Sequence, residues 1–262
     1  MAADDGVPDA RRGLTQWDAE SALRACRPLL AQISLLKRQT MKNTPIHDIY
    51  NTDLLNLIPP DSSRVIEVGC SSGVLAKAFL AMNPRCEYIG IEHDPAYAEL
   101  AKRSCARVIQ VSIEQLDNDV FEGLFPSDCW VFGDVLEHLF DPWAVLERIR
   151  SKLDDSACVV ACIPNAQHWS VQARLNTGSF RYEEAGLLDR THIRWFTRTT
   201  IIELFESCGY MIAQGEPRIF DEPNRDAALA GIRRMAESIG ADPNLAVNDA
   251  LPLQWLIKAV PA

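Results

Sequence analysis

The chain has 262 residues, 47% of them hydrophobic and 24% charged, an ordinary soluble globular composition with enough length for one large α/β domain. Its net charge of −10 argues against a general nucleic-acid binder, which a phosphate backbone would repel, and against docking on an anionic membrane. No apolar run approaches the roughly 18 residues of a membrane span.

Residues 1–14, which contain no apolar run of the secretory kind, read as a flexible tail. From Thr15 to Lys37, "TQWDAESALRACRPLLAQISLLK" has helical apolar spacing that Pro28 breaks or kinks. "PIHDIYNTDLLNLIPP" reads as a second helix, started near Thr44–Pro45 and stopped by Pro59–Pro60. Together these segments form an N-terminal helical cap over residues 15–60, and residues 61–262 form the main domain.

Short apolar strands then alternate with amphipathic helices. "RVIEVG", "EYIGIE", "ARVIQV", "CWVFGD" and "ACVVACIP" are strands. "SGVLAKAFLAM", "PAYAELAKRS", "IEQLDND" and "PWAVLERIRSKL" are the helices or turns between them. The strands are apolar along their whole length, which marks a parallel sheet covered on both faces. Repeated βα units give a doubly wound α/β sheet. Residues 165–198, rich in arginine, histidine and tryptophan, read as an insertion that folds over the crevice. "RTTIIELFESCGY" is a helix stopped at Gly209, "MIAQGEPRIF" a strand, "NRDAALAGIRRMAESIG" a polar helix and "LQWLIKAV" the last strand. Eight cysteines are scattered through these elements without a CxxC pair, which reads as reduced, buried thiols in a cytoplasmic protein.

The bend at Gly69 is the first candidate site. In an open parallel sheet, ligands sit beyond the carboxyl ends of the strands. A glycine there lets backbone approach a ligand, and the helix starting near Ser72 points its unpaired amides at the same crevice. Glu67, two residues before the glycine, disfavours a phosphate and suits a ligand amine. The G-x-x-x-G spacing and the absence of GK[ST] exclude a Walker loop. Glu92 closes the second strand, roughly 20 residues beyond the loop, where an acid accepts ribose hydroxyls. A phosphate-free nucleoside with an amine-bearing tail satisfies both acids, and S-adenosylmethionine is such a molecule.

With "VIEVGCSSG", "GIEHD" and "FGDVLEHLFDPWAVLERIRSKL" in hand, the chain resembles the class I S-adenosylmethionine-dependent methyltransferases from about Ile58 to Tyr210. Its "LEH" and "DRTHIRWFT" segments resemble the small-molecule and sugar-type branch of that family. The resemblance implies a Rossmann-like, seven-stranded sheet, six strands parallel and the last antiparallel. It implies that Glu67, Gly69 and Gly73 line the methionine end and that Glu92 holds ribose. Ile113 should touch adenine, and Asp134, Val135 and Leu136 should close the methionine side with backbone. Two departures stand out. Ser71 occupies a position where the family often has glycine, and it should narrow the loop. Ser112 stands where an aspartate commonly meets the adenine amino group, so affinity is weakened or Glu114 takes that part.

For methyl transfer to a hydroxyl, alignment supplies much of the rate and a positioned base helps further. His138, His168 and His192 are the candidate bases, with His192 favoured as base or acceptor anchor. His138 either orders its loop or takes part in catalysis. Trp169, Trp195 and Phe196 form the wall of an acceptor pocket, with Arg190 and Arg194 as acceptor contacts. The competing reading pairs the arginines of this segment with Glu183, Glu184 and Asp189. No residue spacing calls for a metal. The expected activity is O-methylation of a small hydroxylated acceptor such as a sugar, glycan or natural-product precursor, with S-adenosylhomocysteine as product. N-methylation of a small amine and a catalytically silent scaffold are the alternatives. No nucleic-acid partner is expected, and the state is monomer or homodimer.

Overall fold

Seven strands form one sheet in the order β3-β2-β1-β4-β5-β7-β6. In the computed structural model, which describes residues 49–262, they are β1 (Arg64–Val68), β2 (Glu87–Ile91), β3 (Arg107–Ile109), β4 (Cys129–Gly133), β5 (Cys158–Pro164), β6 (Tyr210–Arg218) and β7 (Gln254–Pro261). The pairs β1–β2, β2–β3, β1–β4 and β4–β5 are parallel, and β7 runs antiparallel to both β5 and β6.

The continuous apolar character of the strands has a direct cause. Alternate side chains of one strand enter two different cores. Ile66, Val68, Ile89, Trp130, Phe132 and Val159 join one cluster. Val65, Tyr88, Cys129, Val131 and Val160 join the other. Helices α1 (Thr52–Leu57), α2 (Val74–Met82) and α3 (Pro95–Ala101) cover the second face through Leu54, Leu75, Phe79 and Ala101. On the first face lie α4 (Asn118–Glu122) with Phe121, α5 (Pro142–Arg150) with Leu146 and Ile149, and later α7 (Arg198–Ser207) with Leu204 and Phe205. Seven of the eight cysteines lie among the described residues, all of them buried and free.

One boundary and one element differ from the sequence reading. The helix expected from Thr44 begins at Thr52, because the Asn51 side chain accepts the Asp53 and Leu54 amides at 3.1 Å and fixes the N-terminus there. An additional helix, α9 (Pro243–Ala250), capped by Asp242, follows α8 (Arg225–Ser238) and packs on it around Leu229, Ile232 and Ala250. The tail and the helix expected over 15–37 lie outside the described residues, as does His47. No helix among the described residues is long and apolar enough to cross a membrane.

The segment between β5 and α7 contains α6 (Trp169–Asn176) and two isolated bridges, Asn165 with Phe196 and Glu183 with Asp189. Asn165 anchors it. Fully buried, Asn165 donates from Nδ2 to the carbonyls of Asp249 and Pro252 at 2.8 Å and accepts the Gln167 amide at 3.0 Å. Replacing it with aspartate would face a carboxylate with two carbonyl oxygens. That carboxyl's folded pKa would rise, so in acid only the loss of one of the two donors remains, and the charge adds to the penalty as pH climbs through that value. Asn165→Asp is expected to cost about 3 kcal/mol near pH 8 and clearly less at pH 4 in urea melts. A penalty independent of pH would contradict this anchoring.

Candidate functional site

The strand order reverses between β1 and β4, so the loops leaving their carboxyl ends bound a crevice. The loop after β1 carries three left-handed residues in five: Gly69 (φ +68°), Ser71 (φ +47°) and Gly73 (φ +77°). A Cβ on Gly69 would stand 2.6 Å from Val135 Cγ2, so glycine is what lets the β1 and β4 loops close up. A Cβ on Gly73 would lie 3.1 Å from the Ala101 backbone, which seats α2 against the end of α3. Ser71 has no such excuse: a left-handed L-residue costs about 1–2 kcal/mol, and its Cβ is the departure noted in the sequence.

The Glu92 carboxylate holds this loop. Its oxygens accept the amides of Ser71 and Asp94, each at 2.9 Å, and His93 Nδ1 stands 3.2 Å away. Glu67 lies nearby on β1, opposite Gly90 of β2. Tyr88 Oη donates to its Oε2 at 3.0 Å, and no ion pair to Glu67 forms among the described residues. Burial first, and then the neighbouring Cys105 and Glu92, push the Glu67 carboxyl well above the usual carboxylate range, against the Tyr88 hydrogen bond. A buried acid lacking a cation, beside this glycine loop, is a group that could hold an incoming ammonium. Ile113 is only 4% exposed and packs in the core, and Glu114 is committed to the Asp141 amide at 2.8 Å.

The loop after β4 holds the second half of the site. Asp134 is left-handed (φ +56°), donates its amide to the Cys162 carbonyl at 3.0 Å, and accepts a hydrogen bond from Gln254. Leu136 is fully buried, and a single 3₁₀ turn, Leu136–His138, follows. Against this turn lies the insertion: the amides of Ile193 and Arg194 both donate to the Glu137 carbonyl, at 2.9 and 3.0 Å. His138 and His192 meet with ring centres 4.8 Å apart. Their Nε2 atoms stand 4.0 and 3.9 Å from Glu137 Oε1. His138 Nδ1 contacts the Thr191 carbonyl at 3.1 Å, and His192 Nδ1 contacts the Leu187 carbonyl at 3.2 Å. Burial lowers both imidazoles from their ordinary range, and the His138 ring adds to the effect on His192. Glu137 is 1% exposed and neither of its oxygens has a hydrogen-bond partner, so burial, reinforced by Asp134, pushes its carboxyl well upward.

The remaining expected site residues disperse. His168 caps α6 through Ser170, with Nδ1 2.8 Å from the hydroxyl, while its Nε2 lies 3.3 Å from Glu222; it serves the helix and the β6–α8 connection rather than the pair at Glu137. Trp169 packs on the α8–α9 cluster, and Phe196 belongs to the core. Trp195 does sit at the site, 6.0 Å from the His192 ring in a T-shaped contact and 5.7 Å from Phe180. Arg190 pairs with Glu184, and Arg174 with Glu183 at 2.5 Å, as the competing reading had it. Arg194 donates to the Phe140 carbonyl and lies over Trp143. Nothing in "VLEH" singles out Glu137, because burial of its carboxylate without a partner is set by the folded insertion.

Glu67 gives a stability prediction. Its folded pKa is raised, so the native state binds that proton more tightly, and stability falls as pH rises through the folded value. Glu67→Gln keeps an acceptor for Tyr88 and removes the charge. Calorimetry should find the variant melting several degrees above the parent at pH 8, with the gap closing toward pH 5. A variant that melts lower at pH 8 would show Glu67 to be stabilised as an anion.

Comparison with known proteins follows the same line. Residues 37–214 match the family described as "Methyltransferase domain". A comparison with curated proteins finds no match. Among solved structures, the chain is similar to a SAM-dependent methyltransferase from Archaeoglobus fulgidus (17% identity, TM-score 0.53, covering 80% of this chain and 90% of that one). It is also similar to magnesium protoporphyrin IX methyltransferase, ChlM, from Synechocystis PCC 6803 with bound SAH (11% identity, TM-score 0.53, covering 93% and 100%). A third is NcsB1, an O-methyltransferase of neocarzinostatin biosynthesis in complex with SAH (13% identity, TM-score 0.50, covering 93% and 61%). The chain spans 61% of NcsB1 and 49% of the mitomycin 7-O-methyltransferase MmcR, a further match at 13% identity and TM-score 0.48. The seven-stranded sheet with β7 reversed, the glycine loop with its acids and the family match over most of the chain agree: the chain belongs to the methyltransferase domain family and is a class I S-adenosylmethionine-dependent methyltransferase.

Proposed function

We propose that the enzyme O-methylates a small hydroxylated acceptor, such as a sugar, glycan or natural-product precursor, and belongs to the small-molecule branch that carries "VLEH". The observation that supports this is the meeting of His138 and His192 at Glu137, under the insertion and at the tip of β4. An amine attacks unaided, whereas a hydroxyl gains from groups that hold its oxygen and relieve it of a proton. Fold likeness does not decide the acceptor, since a possible histamine N-methyltransferase from Thermotoga maritima shares it as well as NcsB1 does.

In this reading each end of the crevice has its own task. S-adenosylmethionine supplies, when bound, a methyl group already activated by the sulfonium. Glu67 takes the ammonium, with Gly69 and Gly73 in the loop beside it. Glu92 takes the ribose hydroxyls while its amide bonds keep the Ser71 turn in place. The backbone of Asp134, Val135 and Leu136 closes the methionine side. The acceptor oxygen lies against His138 and His192, with Trp195 as a wall. Arg194, tied to the Phe140 carbonyl, shapes the rim, and the insertion 165–198 excludes water.

Purified enzyme should be incubated with labelled S-adenosylmethionine and matched panels of polyols, phenols and amines, with products read by mass spectrometry and NMR. A methyl ether is expected, and His192→Ala should lower its rate by about 10²–10⁴-fold while leaving S-adenosylmethionine affinity unchanged. Exclusive N-methylation, with the variant as fast as the parent, would contradict the proposal. Glu67→Gln should instead weaken S-adenosylmethionine binding by about tenfold, roughly 1.4 kcal/mol.

A further inference from the structure

We infer that Glu137, His138 and His192 form a binding site for one divalent first-row transition-metal ion. One donor atom from each of the three residues falls within 4.8 Å of the others. The set is two imidazoles and one carboxylate, a combination that suits such ions and leaves coordination positions open.

Three independent features single this cluster out. First, both Glu137 oxygens are buried without a hydrogen-bond partner. A buried carboxylate in that state is costly unless something positive reaches it. Second, a backbone carbonyl can only accept. The Thr191 and Leu187 carbonyls therefore hold Nδ1–H on both rings, and each neutral imidazole keeps its lone pair on Nε2, the atom that faces Glu137. A carbonyl behind the far nitrogen is the outer-shell support that ligating histidines usually have. Third, the three ligands come from two elements, the turn after β4 and the insertion, which the Glu137 carbonyl already joins through the Ile193 and Arg194 amides. Metal bonds of about 2.0–2.2 Å would require the donors to close by less than roughly 1 Å.

The role of the ion rests on the O-methylation reading; its binding does not. An open position takes the acceptor hydroxyl. The O–H bond then breaks more readily, the proton leaving to water and the electron pair staying on oxygen. The imidazoles act on the acceptor through the ion and not as free bases. The Glu137→Gln, His138→Gln and His192→Gln variants are the corresponding tests.

Full-length enzyme should be stripped with a chelator and titrated with Zn²⁺, Mn²⁺ and Mg²⁺ by calorimetry, with neither acceptor nor S-adenosylmethionine present. One equivalent of Zn²⁺ or Mn²⁺ per chain is expected. Each glutamine variant should weaken it by about tenfold or more, with circular dichroism confirming that the variant folds. The parent loaded with Co²⁺ gives a readout that needs no variant: two paramagnetically shifted, exchangeable imidazole N–H signals, one for each ring held by its carbonyl. Absence of those signals, Mg²⁺ binding tighter than Mn²⁺, or affinity unchanged in folded variants would overturn the assignment. Because the titration contains no acceptor, metal binding without methyl ether formation would sink the O-methylation reading alone. Methyl ether formation by metal-free enzyme would sink only the metal's role.

Discussion

The molecule depends on one close approach. The loops that leave β1 and β4 touch at Gly69 and Val135, with no room for a Cβ between them. This contact sits where the strand order reverses, so it fixes the floor of the crevice that the parallel sheet opens. From it the β1 loop turns through Ser71 and Gly73 into α2, and the β4 loop turns through Asp134 into Glu137 and His138. Both loops are placed by the same pair of strands, and their separation is set by a rigid core, since Ile66, Val68, Trp130 and Phe132 are almost wholly buried.

The site is also where the fold stores electrostatic cost. Glu67, Glu92 and Glu137 are each at most 6% exposed, and Asp134 stands close enough to Glu137 to raise it. Only Glu92 is well served by hydrogen bonds. Glu67 has one, from Tyr88, and Glu137 has none on its carboxylate. A protein selected for stability alone would replace such groups. Binding sites commonly retain them because a cationic ligand recovers the energy on arrival. The insertion joins the arrangement by bonding the Ile193 and Arg194 amides to the Glu137 carbonyl at the tip of β4.

Much of this was legible beforehand, and what was not has physical reasons. Fully apolar strands, Gly209 as a left-handed stop and Pro95 opening α3 were local signals that tertiary packing did not override. The start of α1 was missed because Asn51 as a cap outweighs a proline further upstream. Helix α9 has only eight residues, too few turns for a helical period to stand out. Within the candidate site, the places of Glu67 on β1 and Glu92 after β2 follow from the strand pattern, yet the partnering of side chains does not. Whether Arg190 faces a ligand or Glu184, and whether His168 is a base or a helix cap, is decided by the chain's return path through α6 and the α8–α9 pair. The convergence of His138 and His192, more than fifty residues apart, is likewise a property of the folded insertion.

The most direct measurement is a crystal structure grown with S-adenosylhomocysteine. The ligand is predicted between the Gly69–Gly73 turn and Glu92, its ammonium toward Glu67 and its sulfur toward the Glu137–His138–His192 side. A ligand seated elsewhere, or one whose ammonium faces away from Glu67, would contradict the assignment of the two acids to one shared metabolite.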